Sequence, residues 1–173
     1  MKNQLLSVLV VLSITANLCL NAAAPPKPRK GSPEFERMKT LVGDWRGKID
    51  MGQGPREMNV SFRVLAGGSA LEERVFAGTP NEMTTMYYDQ GGKLALTHYC
   101  TFGNRPTMLL KSADQKSIEF DFDATCGIDP KKEPHMHTLK IVFHHQNKIT
   151  TDWKVIMEGK EMPMQPCQLT RVK

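Results

Sequence analysis

Ile118-Glu119-Phe120-Asp121-Phe122-Asp123-Ala124 alternates apolar and acidic side chains without a break. Successive side chains of a β-strand point to opposite faces, so this spacing puts Ile118, Phe120, Phe122 and Ala124 on one face and the three carboxylates on the other. A helix would scatter both sets around its circumference. The segment therefore predicts a strand with one buried and one solvated face.

The same period of two continues outward in both directions. Upstream, Met58, Val60, Phe62 and Val64 alternate with Asn59, Ser61 and Arg63. Downstream, Leu139, Ile141 and Phe143 oppose Lys140, and Ile149, Trp153, Val155 and Met157 oppose Asp152 and Lys154. Strands are predicted over residues 44–51, 56–65, 69–77, 83–89, 93–102, 106–112, 117–125, 136–144, 148–157 and 162–172, ten in all. Turn-forming residues such as Gln90-Gly91-Gly92, Ala113-Asp114-Gln115 and Gln146-Asn147 join most of them. One connection, residues 127–134, is longer, charged and carries Pro130 and Pro134.

Strands with one apolar face each, joined in sequence by short turns, predict an all-β fold. The expected form is an antiparallel up-and-down barrel of about ten strands, because closure removes the exposed edges of an open meander. A two-sheet sandwich is the alternative. Ahead of the strands, Ser32 is placed to cap a short helix starting at Pro33, with Phe35, Met38, Leu41 and Val42 on one face and Gly43 ending it.

The N-terminal residues read differently. Lys2, an apolar run from Leu5 to Ile14 and the small residues Ala22, Ala23 and Ala24 form the pattern of an export signal over residues 1–24. Its apolar run is shorter than the roughly 20 residues of a membrane-spanning helix. Residues 25–31, rich in Pro and Lys, read as a flexible linker, and residues 32–173 as the barrel domain. After cleavage the expected product has no transmembrane segment and resides in the periplasm or outside the cell.

The formal charge of +5 belongs almost wholly to this leader and linker, since residues 32–173 carry 19 basic and 18 acidic side chains. A domain so balanced presents no basic field for nucleic acid. An oxidising compartment permits a disulfide, and Cys100 with Cys126 is the preferred pair because both lie near the ends of one apparent hairpin. Cys167 is then left over.

A short helix leading into Gly43-Asp44-Trp45, with Arg171 on the last strand, resembles the calycin pattern of lipocalins and fatty-acid-binding barrels. The resemblance implies that Trp45 closes the barrel floor and that Arg171 packs over its ring. Leu41 to Gly47, Glu72-Glu73 and Gln168-Leu169-Thr170-Arg171 are similar to segments of uncharacterised secreted bacterial lipocalin-like proteins. Gly43 to Gly47 also resembles the start of nitrobindin, a haem-binding barrel whose ligand is a histidine towards the C-terminal end. This chain has no histidine after His145, so no haem or other cofactor is assigned.

The expected function is non-enzymatic binding of a small apolar or amphipathic molecule, with Phe62, His98, Phe120, Phe122, His137, Leu139, Ile141 and Trp153 lining the interior. Methionines such as Met83, Met136, Met157 and Met164 suit an adaptable lining. Three other readings stay open. The barrel could be filled and serve as an envelope interaction module. His98, Cys100 and His137 could converge on a metal or haem. An enzyme would require His98, Glu73 or Tyr87 within hydrogen-bonding reach of one another. No Gly-x-Ser-x-Gly elbow, His-Glu-x-x-His pair or phosphate-cradling loop occurs, so no catalytic or metal-ligating residue is assigned.

Overall fold

The computed structural model describes residues 30–50 and 54–173. The predicted signal segment and residues 25–29 of the linker lie outside them. One helix, α1 (Pro33–Lys39), precedes eleven strands among the described residues: β1 (Gly43–Asp50), β2 (Pro55–Leu65), β3 (Ala70–Val75), β4 (Met83–Gln90), β5 (Lys93–Tyr99), β6 (Thr107–Ala113), β7 (Ser117–Phe122), β8 (His135–His145), β9 (Lys148–Met157), β10 (Lys160–Pro163) and β11 (Cys167–Arg171).

Strands β1 to β9 pair antiparallel with their chain neighbours, β9 pairs with β11, and β11 pairs with β1. That ring is a closed ten-stranded barrel. The remaining strand, β10, pairs only with β9, along its C-terminal half from Lys154 to Met157. The last expected strand, 162–172, is thus divided in two. Pro163 and Pro166 lack the backbone N–H that a continuous ladder needs, so the chain leaves β9 after Met164, whose N–H donates to the Trp153 carbonyl, and rejoins it at Cys167.

The two ends of the barrel differ because their connections differ. At one end β2–β3, β4–β5, β6–β7 and β8–β9 are joined by two to four residues each. At the other, residues 76–82, 100–106 and 123–134 form longer loops. The short-turn end is plugged by α1. Ser32 accepts from the Phe35 N–H at 3.2 Å as its N-cap, and the first turn is acidic and the last basic, matching the helix dipole.

Phe35, Met38 and Leu41 enter the core from α1. Ser32 donates through both its backbone N–H and its hydroxyl to Asp89, at 2.6 and 2.7 Å, which ties the helix to the end of β4. Arg37 stacks over Phe143 at 4.0 Å and donates to the carbonyls of Asp114 and Gln115. The plug is therefore fixed to three hairpin ends.

Trp45 lies behind the plug, buried, with its indole N–H donating to the Leu41 carbonyl at 2.7 Å. Arg171 is its strand partner, and the guanidinium sits 4.3 Å from the ring. The same guanidinium donates to the carbonyls of Thr40 at 2.8 Å, Gln146 at 3.1 Å and Val42. Trp45 meets Phe62 edge to face at 6.4 Å, which begins a packed layer of Leu71, Tyr87, Leu96, Phe120, Leu139 and Ile141. Half of the barrel is thus filled.

Candidate functional site

Above that packed layer the interior is open. A cavity of about 410 Å³ lies at the long-loop end, beneath the exposed side chains of Phe102 and Met157. Its wall is mostly apolar, and five methionines contribute to it: Met58, Met83, Met136, Met157 and Met164. Flexible thioethers can adjust to an irregular occupant. Phe76 also reaches the wall, from a left-handed backbone conformation with φ of +56° that bulky residues rarely adopt.

A row of polar groups crosses this apolar wall. Glu73 of β3 is the strand partner of Thr85 on β4, and Thr85 is the partner of His98 on β5. Side chains at such paired positions stand on the same face about 5 Å apart. All three are buried and all three line the cavity. The alternation that puts Leu71 and Val75 inward also puts Glu73 inward, while Glu72 and Arg74 face out and Arg74 pairs with Glu82.

The hydrogen bonds form a chain. Tyr87 donates to Oε2 of Glu73 at 2.6 Å, and the neighbouring Thr85 hydroxyl also favours the ionised form of the Glu73 carboxyl. Thr85 Oγ1 lies 2.9 Å from Nδ1 of His98. The other imidazole nitrogen, Nε2, is buried and has no partner. The Trp153 ring lies 5.0 Å from the imidazole and closes its flank.

Burial governs the charge of both groups. Loss of solvent pushes the Glu73 carboxyl up from 4.5 to about 7, against the opposing effect of the Tyr87 and Thr85 hydroxyls. Loss of solvent also pushes His98 down from 6.5 to about 4, so it is neutral at physiological pH. Among the described residues that line the cavity, Asp50 and Glu73 are acidic and none is lysine or arginine.

Of the eight residues expected to surround a ligand, His98 and Trp153 line the cavity. Phe62, Phe120, Leu139 and Ile141 face inward but belong to the packed layer below it. Phe122 and His137 lie elsewhere: Phe122 stacks on His137 at 5.4 Å and on His135 at 4.4 Å. A bulge in β8 between Met136 and Thr138 shifts the register, so Met136 takes the place at the cavity wall that alternation had assigned to His137.

The expected bridge between Cys100 and Cys126 is not formed, and Cys100, Cys126 and Cys167 are free thiols. The apparent hairpin contains a third strand. Cys100 follows β5 and Cys126 follows β7, with β6 between them. His98, Cys100 and His137 do not converge either; His137 Nδ1 instead lies 3.2 Å from Nε2 of His135. Among the described residues no three His, Cys, Asp or Glu side chains are grouped to hold a metal ion.

Thr85 escaped the sequence reading, whereas Glu73 entered it as one of two adjacent glutamates and, with His98 and Tyr87, as a group an enzyme would need. A signal for both existed. Thr85 and Tyr87 share a face in strand 83–89, and a threonine in an otherwise inward row marks a buried hydroxyl that needs a partner. No protein-family model matches the chain, and no curated protein is significantly similar to it.

Proposed function

We propose that the barrel is a container for a small apolar or amphipathic molecule, held in the cavity at its long-loop end. The observation that carries this reading is the unequal filling of the interior. The α1 end is packed by Trp45, Phe62, Tyr87 and Phe120, whereas the opposite end keeps a mostly apolar space of about 410 Å³. Ligand pockets typically run from roughly 300 to 1,000 Å³ with an apolar wall and few polar groups, and this space fits that description. An envelope module with a filled barrel would need no such space.

The plug of α1, Trp45 and Arg171 supports kinship with calycin-type barrels, which carry ligands in the same manner. The N-terminal pattern of Lys2, Leu5 to Ile14 and Ala22 to Ala24 supports export, with residues 1–24 removed and the domain acting in the periplasm or outside the cell. Native mass spectrometry of the purified protein tests the container reading directly. A copurified small molecule, or a thermal shift with members of a panel of lipids and hydrophobic dyes, is the expected result. A protein that stays empty and unshifted across that panel would sink it.

One observation favours a second reading, acid–base catalysis. Tyr87 does meet Glu73, and a carboxyl that titrates near neutrality beside a cavity suits proton transfer. The two readings part at the fate of the ligand. A bound molecule recovered unchanged in mass and isomeric form after prolonged incubation supports binding; a converted one supports catalysis.

A further inference from the structure

We propose that His98 Nε2 anchors the head group of the bound molecule, and that this head group is an uncharged hydroxyl that donates a hydrogen bond to it. The proposal rests on the container reading above and names the ligand class for that same cavity.

The hydrogen-bond chain fixes which way the imidazole faces. Where Glu73 is ionised, as above pH 7, its carboxylate can only accept, so Tyr87 directs its hydrogen to it, and Thr85, whose hydroxyl favours that ionised form, directs its own the same way. Thr85 has no second hydrogen. Its oxygen must therefore accept at 2.9 Å, and the only available donor on that line is His98 Nδ1–H. A neutral imidazole carries one ring proton. With Nδ1 protonated, Nε2 presents a lone pair.

That lone pair is buried and unpartnered, on a residue that lines the cavity. Buried polar atoms are satisfied in nearly all native structures, and an orphan at the wall of a ligand-sized space points to a partner that the ligand brings. The partner has to be a donor. A carboxylate head would set lone pairs against a lone pair, in a cavity whose wall carries Asp50 and Glu73 and no lysine or arginine. An ammonium head would have to shed its whole hydration shell to reach one lone pair on a mostly apolar wall. An alcohol meets neither obstacle, and its apolar body would lie against Met83, Met136, Trp153 and Val155.

The test uses the whole protein at pH 8, where the Glu73 carboxyl is mostly ionised, and four probes of matched chain: 1-decanol, its methyl ether, decanoate and decylamine. Binding is read from Trp153 fluorescence and calorimetry. Decanol is expected to bind at least tenfold more tightly than each of the other three, and His98→Leu to abolish that preference while still binding the ether. Nitrogen-15 spectra of the wild-type imidazole provide a readout independent of any variant. They should show a protonated Nδ1 and a bare Nε2 whose resonance moves on adding decanol.

Equal binding of decanol and its ether, or tighter binding of decanoate or decylamine, overturns the head-group assignment and leaves the container reading intact. A protonated Nε2 at pH 8 overturns it as well. Failure of all four probes to bind overturns the proposal and removes support from the container reading too.

Discussion

Thr85 Oγ1 stands 2.9 Å from Nδ1 of His98, and its strand partner on the other side is Glu73, so one hydroxyl lies between the two buried titratable groups of the cavity. The groups facing Glu73 are few: Thr85 and Tyr87 from β4, and Cys167 from β11. Burial pushes the Cys167 thiol up to about 11, so Cys167 carries no charge beside Glu73 across the neutral range.

The two groups give opposite pH dependences of stability. Glu73 titrates at about 7 in the folded state against 4.5 ordinarily, so the folded protein keeps a proton that the unfolded chain has released. Its contribution is most favourable below 4.5 and is lost as pH rises through about 7. His98 titrates at about 4 against 6.5, so its contribution is full above 6.5 and is lost as pH falls towards 4. Each displacement corresponds to at most roughly 3 kcal/mol.

Urea denaturation from pH 4.5 to 8 separates them when each variant is read against wild type. Glu73→Gln keeps an acceptor for Tyr87 and should gain about 1–3 kcal/mol at pH 8, with the gain shrinking towards pH 4.5. His98→Gln should gain relative to wild type as pH falls below 6.5. Variant and wild-type curves that run parallel would show that neither group is buried as described.

Arg171 joins the floor through one ring and three carbonyls, those of Thr40, Val42 and Gln146. Arg171→Ala should cost about 2–4 kcal/mol, since bonds from a charged donor are stronger than neutral ones and the carbonyls lose their shared partner. Arg171→Lys should recover less than half of that, because an ammonium cannot serve the same fork of acceptors. Binding in the cavity, at the other end of the barrel, should be unchanged in both once the proteins are folded. Full stability in the lysine variant would show that charge alone suffices.

Gly47 owes its place to close approach and not to an unusual backbone angle. A Cβ there would come within 2.6 Å of the Gln168 carbonyl oxygen, 2.7 Å of Leu169 Cδ2 and 2.9 Å of Cys167 Sγ, all on the facing strand β11. Backbone cannot swing aside as a side chain can. Gly47→Ala should therefore destabilise by about 1–3 kcal/mol through strain at the β1–β11 seam that closes the barrel. An unchanged denaturation midpoint would mean that the seam is looser than its contacts imply.

The period of two in residues 118–124 carried most of the fold, because strand faces are a local property of the chain. It told which side chains turn inward, as with Phe62, Phe120, Leu139 and Ile141. It could not tell how high in the barrel each one sits. That height depends on register, and register follows from pairing across loops such as 76–82, where Glu73 is brought level with Thr85. The β8 bulge is likewise decided by the partner strand β9, so His137 gave no warning of it. The Cys100–Cys126 expectation failed for a related reason: sequence spacing resembled a hairpin, and topology placed β6 within it.

Thiol chemistry offers the last test, because the three cysteines sit in three different environments. Cys167 is buried between β9 and β1, with its thiol donating to the Lys48 carbonyl at 3.4 Å and its pKa raised to about 11 by loss of solvent. Little thiolate forms there, and thiolate is the reactive species. Cys100 is half-buried and lines the cavity, whereas Cys126 is half-buried in the loop after β7 and does not. Labelling with a maleimide at pH 7.5, followed by peptide mapping, should modify Cys126 fastest, Cys100 more slowly and Cys167 last. An occupant of the cavity should slow labelling of Cys100 at least severalfold and leave Cys126 untouched. Equal protection of both sites would indicate a general stiffening of the protein, and no protection at Cys100 would place the occupant outside the barrel.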